Sequence, residues 1–140
     1  MKQIPVIFWT GTGNTQMMAD AVAEAINAAG AEAVVKNVSE ITADEAAGYE
    51  ALALGCPAMG AEVLEECEFE PFFTELEGKL AGKKVAIFGS YGWGGTYMQD
   101  WEARVKDAGA TLVADGVLAL GAPDDEAVAK LAEAGKLLAE

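Results

Sequence analysis

Short apolar runs alternate along the chain with longer stretches in which apolar residues recur at helical spacing. Residues 4–9 are almost wholly apolar, whereas residues 15–29 are rich in Ala and Met and carry Val22 and Ile26 at helical spacing. An unbroken apolar run is typical of a parallel strand covered on both faces, and the helical repeat is typical of an amphipathic helix. Because this alternation continues to the last residues, the pattern predicts strands and helices in turn.

The predicted strands cover residues 4–9, 31–37, 51–54, 84–88 and 110–120, and the predicted helices cover residues 15–29, 43–48, 69–76, 96–108 and 124–139. The last strand is expected to be broken at Gly116. Pro5 donates no ladder hydrogen bond, so it is expected at the very start of its strand. Thr42 is expected to cap the second helix. No linker or repeat divides residues 1–140, which predicts a single α/β domain with a parallel sheet and helices on both faces.

Three glycine-containing loops follow the first, third and fourth predicted strands. In a parallel sheet the carboxyl ends of the strands open at one edge, and ligands bind there beside the point where the strand order reverses. We therefore expect the three loops to form one site.

The first loop is Trp9-Thr10-Gly11-Thr12-Gly13-Asn14-Thr15. Its glycines let an external group approach the backbone, and the helix behind it offers N–H groups and a positive dipole end. An ordinary strand-to-helix turn with a polar cap is the alternative on this stretch alone. A nucleoside-triphosphatase loop needs Lys where Asn14 stands, and a dinucleotide loop needs Gly where Gln16 stands. The better fit is a single phosphate held by neutral donors.

The other two loops contain one large apolar residue each. Met59 lies between Gly55 and Gly60, and Trp93 lies among the glycines of residues 89–95. Both side chains suit a flat ring, although a Met is more often a core filler and a Trp can fold over the core as a lid. The pattern leaves Tyr91 open between packing and the site.

Charge and composition narrow the class of function. The formal net charge is −14, His is absent, and the two cysteines, Cys56 and Cys67, have no metal-binding spacing. The acidity argues against nucleic acid or an anionic membrane surface as partner and favours positively charged partners, although solubility explains it equally well. Because no signal-like or membrane-spanning apolar stretch is present, a cytoplasmic location is expected.

The three loops, in this order at strand ends, resemble those of the short-chain flavodoxins of anaerobic bacteria. The resemblance rests on the first loop, on Gly55-Cys56-Pro57-Ala58-Met59-Gly60 with Glu62, and on Gly89-Ser90-Tyr91-Gly92-Trp93-Gly94. It runs from residue 4 to the last helix. It implies a three-layer flavodoxin-like fold with a five-stranded parallel sheet of order 2-1-3-4-5, and one non-covalently bound FMN.

The resemblance implies that residues of all three loops bind this FMN. They are Trp9, Thr10, Gly11, Thr12, Gly13, Asn14, Thr15, Pro57, Ala58, Met59, Gly60, Ala61, Glu62, Ser90, Tyr91, Gly92, Trp93 and Gly94. It implies no catalytic residue and no metal ligand.

The roles within this set also come from the resemblance. The first loop corresponds to the phosphate site, and Ser90 to a further donor near the phosphate or the ribityl chain. Met59 and Trp93 correspond to the residues that enclose the flavin ring, and Glu62 to the acid that pairs with the ring N3–H. Gly60 corresponds to the residue whose carbonyl turns towards the flavin N5 once that nitrogen is protonated.

The function implied by the resemblance is low-potential electron transfer, one electron at a time, between redox enzymes. The chain is then an electron carrier and not an enzyme, and we expect a monomer with no nucleic-acid or membrane partner. Redox enzymes with basic docking surfaces are the expected partners. The acids expected to orient them, which otherwise form a solvated face, are Glu62, Glu65, Glu66, Glu68 and Glu70. The alternative is a small FMN-dependent quinone reductase.

Overall fold

The computed structural model describes residues 3–9, 13–57, 68–91 and 96–140. The strands among these residues are β1 (Gln3–Phe8), β2 (Glu32–Asn37), β3 (Ala51–Gly55), β4 (Lys84–Tyr91), β5 (Thr111–Leu112) and β6 (Val117–Leu120). The helices are α1 (Asn14–Ala28), α2 (Ala43–Ala46), α3 (Phe69–Glu77), α4 (Thr96–Asp107) and α5 (Asp125–Ala139), with a short 3-10 helix over Val38–Glu40.

All the strand pairs in the described sheet are parallel, and the strand order is β2-β1-β3-β4-β5, with β6 also paired to β4. This order confirms the predicted fold class. The order reverses between β1 and β3, because the chain first adds β2 on one side of β1 and then crosses back to the other.

The predicted fifth strand is divided into β5 and β6, and both halves lie alongside β4. The break occurs near Gly116, as the sequence predicts. The backbone N–H of Gly116 donates to Glu102 Oε2 of α4 at 2.6 Å, and a Cβ on Gly116 would collide with the Met98 side chain. A larger residue at this bend would therefore have to displace the Met98 side chain of α4.

Two details of the predicted strands are wrong. The fourth strand does not end at residue 88, because β4 continues to Tyr91 by pairing Gly89, Ser90 and Tyr91 with β6. Pro5 does not stand at the very start of β1 but inside it, opposite Val34. Its missing N–H is tolerated there because the pairing of β1 with β3 begins only at the next residue.

One hydrophobic cluster covers each face of the sheet, so the fold has three layers. The first cluster includes Met18 and Val22 of α1 and Leu131 of α5, and the second includes aromatic side chains of α3 and α4 such as Phe73 and Trp101. Each of these side chains is at most 1% exposed. Complete burial of a large apolar side chain contributes about 1.5–3 kcal/mol, which fixes the helices against the sheet and places the strand ends.

Candidate functional site

The ends of β1, β3 and β4 lie side by side. The backbone N–H of Trp9 donates to Gly55 O at 3.0 Å, and the backbone N–H of Cys56 donates to Phe88 O at 3.0 Å. The first two loops therefore start from neighbouring strands at one edge, and β4, the next strand along, ends at Tyr91 at the same edge. This arrangement confirms the prediction that the three loops start at one edge of the sheet.

The helix α1 begins at this edge with a glycine in the left-handed conformation. Gly13, its N-cap residue, has φ 92° and ψ −9°, a left-handed conformation that favours glycine. Among the described residues, a Cβ built on Gly13 would meet nothing within 4 Å, so the requirement for glycine comes from its positive φ. Gly13 brings no capping side chain, and the first turn of α1 contains no acidic residue.

The first turn of α1 fits a phosphate group. Asn14 is half-buried, and Thr15 is only 1% exposed although its side chain is polar. Both side chains are neutral, and both stand at the positive end of the helix dipole, where backbone N–H groups point outwards. Helix N-termini of this kind bind phosphate groups through their backbone N–H groups and their dipole.

Eleven of the predicted FMN-binding residues lie outside the described residues, and their roles stay predictions. They are Thr10, Gly11, Thr12, Ala58, Met59, Gly60, Ala61, Glu62, Gly92, Trp93 and Gly94. The structure describes the other seven, which are Trp9, Gly13, Asn14, Thr15, Pro57, Ser90 and Tyr91.

Ser90 is buried and uses its hydroxyl proton inside the protein. Its Oγ donates to Gly121 O at 2.8 Å, and the backbone N–H of Gly121 donates to Tyr91 O at 3.1 Å. The turn after β6 is thus attached to the end of β4. Since a hydroxyl has one proton, Ser90 offers a cofactor an acceptor rather than the predicted donor unless the hydroxyl rotates.

Trp9 and Tyr91 are half-buried, and both pack against the cluster on the α3–α4 face. The indole Nε1 of Trp9 donates to Glu68 Oε1 at 3.1 Å. Glu68 directly precedes α3, so this hydrogen bond joins the residue after β1 to the start of α3.

A buried phenol forms a further connection that the sequence pattern did not single out. The Tyr97 hydroxyl donates to Cys56 O at 2.8 Å, and Tyr97 is 2% exposed. Burial raises the pKa of Tyr97 well above its usual value, and the nearby Cys56 adds to this shift. The hydroxyl therefore stays protonated and remains a donor. A single Tyr at the start of a helix carries no sequence signal for such a contact.

Arg104 joins α3 to α4. Its guanidinium donates to both carboxylate oxygens of Glu70, at 2.8 and 2.9 Å, and to Glu77 at 3.0 and 3.2 Å, and it lies 4.7 Å from the centre of the Phe73 ring. Partial burial opposes the Arg104 charge, but the hydrogen bonds to both carboxylates outweigh this effect and raise its pKa. The hydrogen bond from Arg104 likewise lowers the pKa of Glu70, against partial burial and with help from Thr74.

Among the described residues, no group of three or more His, Cys, Asp or Glu side chains is placed to hold a metal ion. No helix in the described ranges is long and apolar enough to cross a membrane.

Comparison with known proteins decides the family. The flavodoxin family model matches residues 6–135. The chain belongs to the flavodoxin family. It is 46% identical over 135 residues to a flavodoxin of Clostridium beijerinckii, with 96% of this chain and 97% of the relative covered. It is 45% identical over 116 residues to a flavodoxin of Megasphaera elsdenii, with 82% and 85% covered.

Solved structures of the family agree with this assignment. The solution structure of two-electron reduced M. elsdenii flavodoxin superposes with a TM-score of 0.89 at 42% identity, covering 97% of this chain and 98% of that one. A flavodoxin from the domain Archaea gives a TM-score of 0.86 at 25% identity, covering 98% and 96%. Flavodoxins are electron-transfer proteins that bind FMN, and the neutral helix start at Gly13 fits the phosphate of this cofactor.

Proposed function

We propose that this chain carries electrons one at a time between redox enzymes on a single, non-covalently bound FMN. The observation that supports the proposal is the start of α1, where a left-handed glycine and neutral polar side chains stand at the carboxyl edge of the sheet without an acidic residue in the first turn. FMN supplies the electron chemistry through its flavin ring when it is bound.

The residues of the first turn of α1 bind and orient the phosphate in this proposal. Asn14 and Thr15 supply side-chain donors, and the backbone of the turn supplies N–H groups at the positive dipole end. Because Thr15 is buried, its contribution is fixed by packing and not by a mobile side chain. The ends of β3 and β4 lead to the two loops that are predicted to enclose the ring.

The charge of the chain supports a low reduction potential. With 23 acidic residues against nine Lys and Arg, the chain has a net charge of −14. Added negative charge on a cofactor bound in such a field is disfavoured, which lowers the potential at which the last electron is accepted. The proposed phosphate site adds no compensating cation, because residues 9–15 contain no Lys or Arg.

The same charge supports basic docking surfaces on the partner enzymes. Of the acids expected to face partners, Glu70 is held by Arg104 and Glu68 accepts the Trp9 indole N–H. The long-range field of the chain therefore matters more for this proposal than these two carboxylates. If it is correct, electron-transfer rates with a basic partner fall as salt is added, and rates that do not depend on salt contradict it.

A redox titration tests the function directly. The chain is loaded with FMN, and its absorbance spectrum is followed during stepwise reduction at controlled potential. We expect one FMN per chain and two separate one-electron steps, the second at low potential. A chain that takes up no FMN contradicts the proposal.

The quinone-reductase alternative predicts a different result. The FMN-loaded chain is mixed with NADH or NADPH and a quinone, and oxidation of the nicotinamide is followed. An electron carrier gives no turnover without a separate reductase, whereas sustained turnover by the chain alone favours the alternative.

A further inference from the structure

The buried hydroxyl of Tyr97 has no role in the function proposed above. Tyr97 is the second residue of α4, and this helix follows residues 92–95, which contain the predicted ring-binding Trp93. Its hydroxyl donates to Cys56 O at 2.8 Å. Cys56 directly follows β3 and leads into residues 58–67, which contain the other predicted ring-binding residues.

Several constraints act on Cys56, the first residue after β3. The Cys56 backbone N–H donates to Phe88 O at 3.0 Å, and the Cys56 carbonyl accepts the Tyr97 hydroxyl. The carbonyl belongs to the peptide that precedes Pro57, whose ring fixes its own φ near about −65°. The plane of this peptide and the torsion that follows it are therefore both restricted.

Gly89 leaves the space that this contact needs. A Cβ on Gly89 would collide with both the Cys56 carbonyl oxygen and the Tyr97 hydroxyl. Tyr97 lies in α4, Cys56 directly follows β3, and Gly89 lies in β4, so three parts of the fold meet at one hydrogen bond. Cys56 is fully buried and Tyr97 is 2% exposed, so water does not compete for this bond.

We propose that Tyr97 is a positioning residue: its hydroxyl fixes the Cys56 carbonyl and thereby the direction in which the chain enters residues 58–67. This inference rests on the proposed function, because that segment is predicted to face the flavin ring. The hydrogen bond also couples the start of this segment to the helix that follows residues 92–95. One contact thus joins the residue that leads into the first of these segments to the helix that follows the second.

The test compares FMN-loaded wild type with Tyr97→Phe, which removes one oxygen atom and retains the buried ring. Both one-electron midpoint potentials and the dissociation constant of oxidised FMN are measured. A neutral hydrogen bond contributes about 1 kcal/mol net. We therefore expect the ratio of the affinities for oxidised and one-electron-reduced FMN to change about fivefold to tenfold. A tenfold change corresponds to about 59 mV for one electron.

Two matched variants separate positioning from stability. Tyr49→Phe removes the same atom from a half-buried Tyr that precedes β3, at the opposite edge of the sheet, and should leave both potentials unchanged. Arg104→Lys keeps the charge but loses the paired hydrogen bonds to Glu70 and Glu77, so it should lower stability without moving the potentials.

Hydrogen exchange on the apo-protein gives a second measurement. We expect the amides of residues 56–67 to exchange faster in Tyr97→Phe than in wild type, and not in Tyr49→Phe. A Tyr97→Phe protein that loses stability but keeps the two wild-type potentials and the wild-type exchange rates of these amides overturns the inference. The proposed function stands in that case. A wild-type chain that takes up no FMN overturns both.

Discussion

The start of α1 differs from the starts of α2 and α5. Thr42 caps α2 by accepting from the backbone N–H of Glu45 at 3.1 Å, and the Glu45 side chain in turn accepts from the Thr42 backbone. Asp124 caps α5 by accepting from the backbone N–H of Ala127 at 2.8 Å. The α1 helix begins with Gly13, which has no side chain.

The first turns differ in charge as well. Asp44 and Glu45 stand in the first turn of α2, and Asp125 and Glu126 in that of α5, whereas α1 has no acid there. Acids and caps stabilise a helix start locally by satisfying its N–H groups and its dipole. Where they are missing, the same N–H groups and dipole favour an external anion. This difference fits the proposed phosphate site at the start of α1. The first turn of α4 also has no acid, so the assignment rests on the left-handed Gly13 and on the Asn14 and Thr15 side chains as well.

The most direct way to break this difference is to give α1 an acid of its own. Asn14→Asp changes one atom and places a carboxylate beside the proposed phosphate. Two unit charges about 6 Å apart repel by about 2.8 kcal/mol at an effective dielectric constant of about 20, so we expect FMN to bind about 100-fold more weakly. The apo-protein should gain about 0.5 kcal/mol of stability, because an acid suits a helix N-terminus. Fluorescence titration and urea unfolding measure the two effects.

Asn27→Asp is the matched control, because it makes the same change in the last turn of the same helix. Its side chain accepts from the backbone N–H of Ala33 at 2.9 Å, a bond that a carboxylate retains. FMN affinity should stay within about twofold of wild type, because the site lies about 20 Å away along the helix. Equal loss of FMN affinity in both variants would contradict the local account.

The backbone of Gly13 offers the next largest effect. Gly13→Ala forces a Cβ into the left-handed region, which costs about 1–2 kcal/mol in the apo-protein. Gly30→Ala is its control at the other end of α1, since Gly30 has φ 93° and Gly13 has φ 92°, and neither Cβ would meet an atom of the described residues within 4 Å. Urea unfolding should show similar losses for both. Only Gly13→Ala should weaken FMN binding, and identical FMN affinities would oppose the assignment.

The cap of α5 tests whether a capped helix start contributes to stability and not to FMN binding. Asp124→Ala removes the side chain that accepts from Ala127 and should cost about 1 kcal/mol of stability, while Asp124→Asn should cost less because an amide oxygen still accepts. Neither variant should alter FMN affinity. Chemical unfolding and a flavin titration on the same samples check this, and a change in affinity would show that α5 contributes to the site.

The first turn of α3 carries an acid whose effect depends on pH. Arg104 holds the pKa of Glu70 below its ordinary value, so the stabilising contribution is complete above about pH 4.5 and is lost as the pH falls through the lower, folded-state value. The two side chains remain 29% and 35% exposed, so we expect no more than about 1 kcal/mol. Acid unfolding of Glu70→Gln should lack this component. An unchanged acid limb would mean that Glu70 contributes nothing to it.

The order of elements and the edge of the site follow from local patterns that the sequence contains. Alternating apolar runs and helical repeats predict the parallel sheet, and the Gly-rich turn before Asn14 predicts the anion site. The extension of β4 to Tyr91 was not predictable in this way, since it depends on pairing with residues of β6 that lie 29 positions later in the chain. A glycine within residues 89–95 resembles a loop until the partner strand is known.

The hydrogen-bond partners of single polar side chains also could not be predicted from local sequence patterns. The Tyr97 hydroxyl meets a carbonyl 41 residues away, and the Ser90 hydroxyl one 31 residues away. Such pairs depend on where packing places two elements to within an ångström or so, and no spacing in the sequence encodes it. Pro5 is a milder case, because only the stagger of β1 and β3 makes it harmless inside a strand.

The central claim is that the start of α1, with Gly13 at the N-cap and no acid in the first turn, binds the phosphate of FMN. Titration of the wild-type apo-protein with FMN and with riboflavin, which has the same ring but no phosphate, tests it most directly. We predict that FMN binds at least about 100-fold more tightly, and that Asn14→Asp removes most of this preference without weakening riboflavin binding. Equal affinity of the wild type for the two flavins would contradict the account.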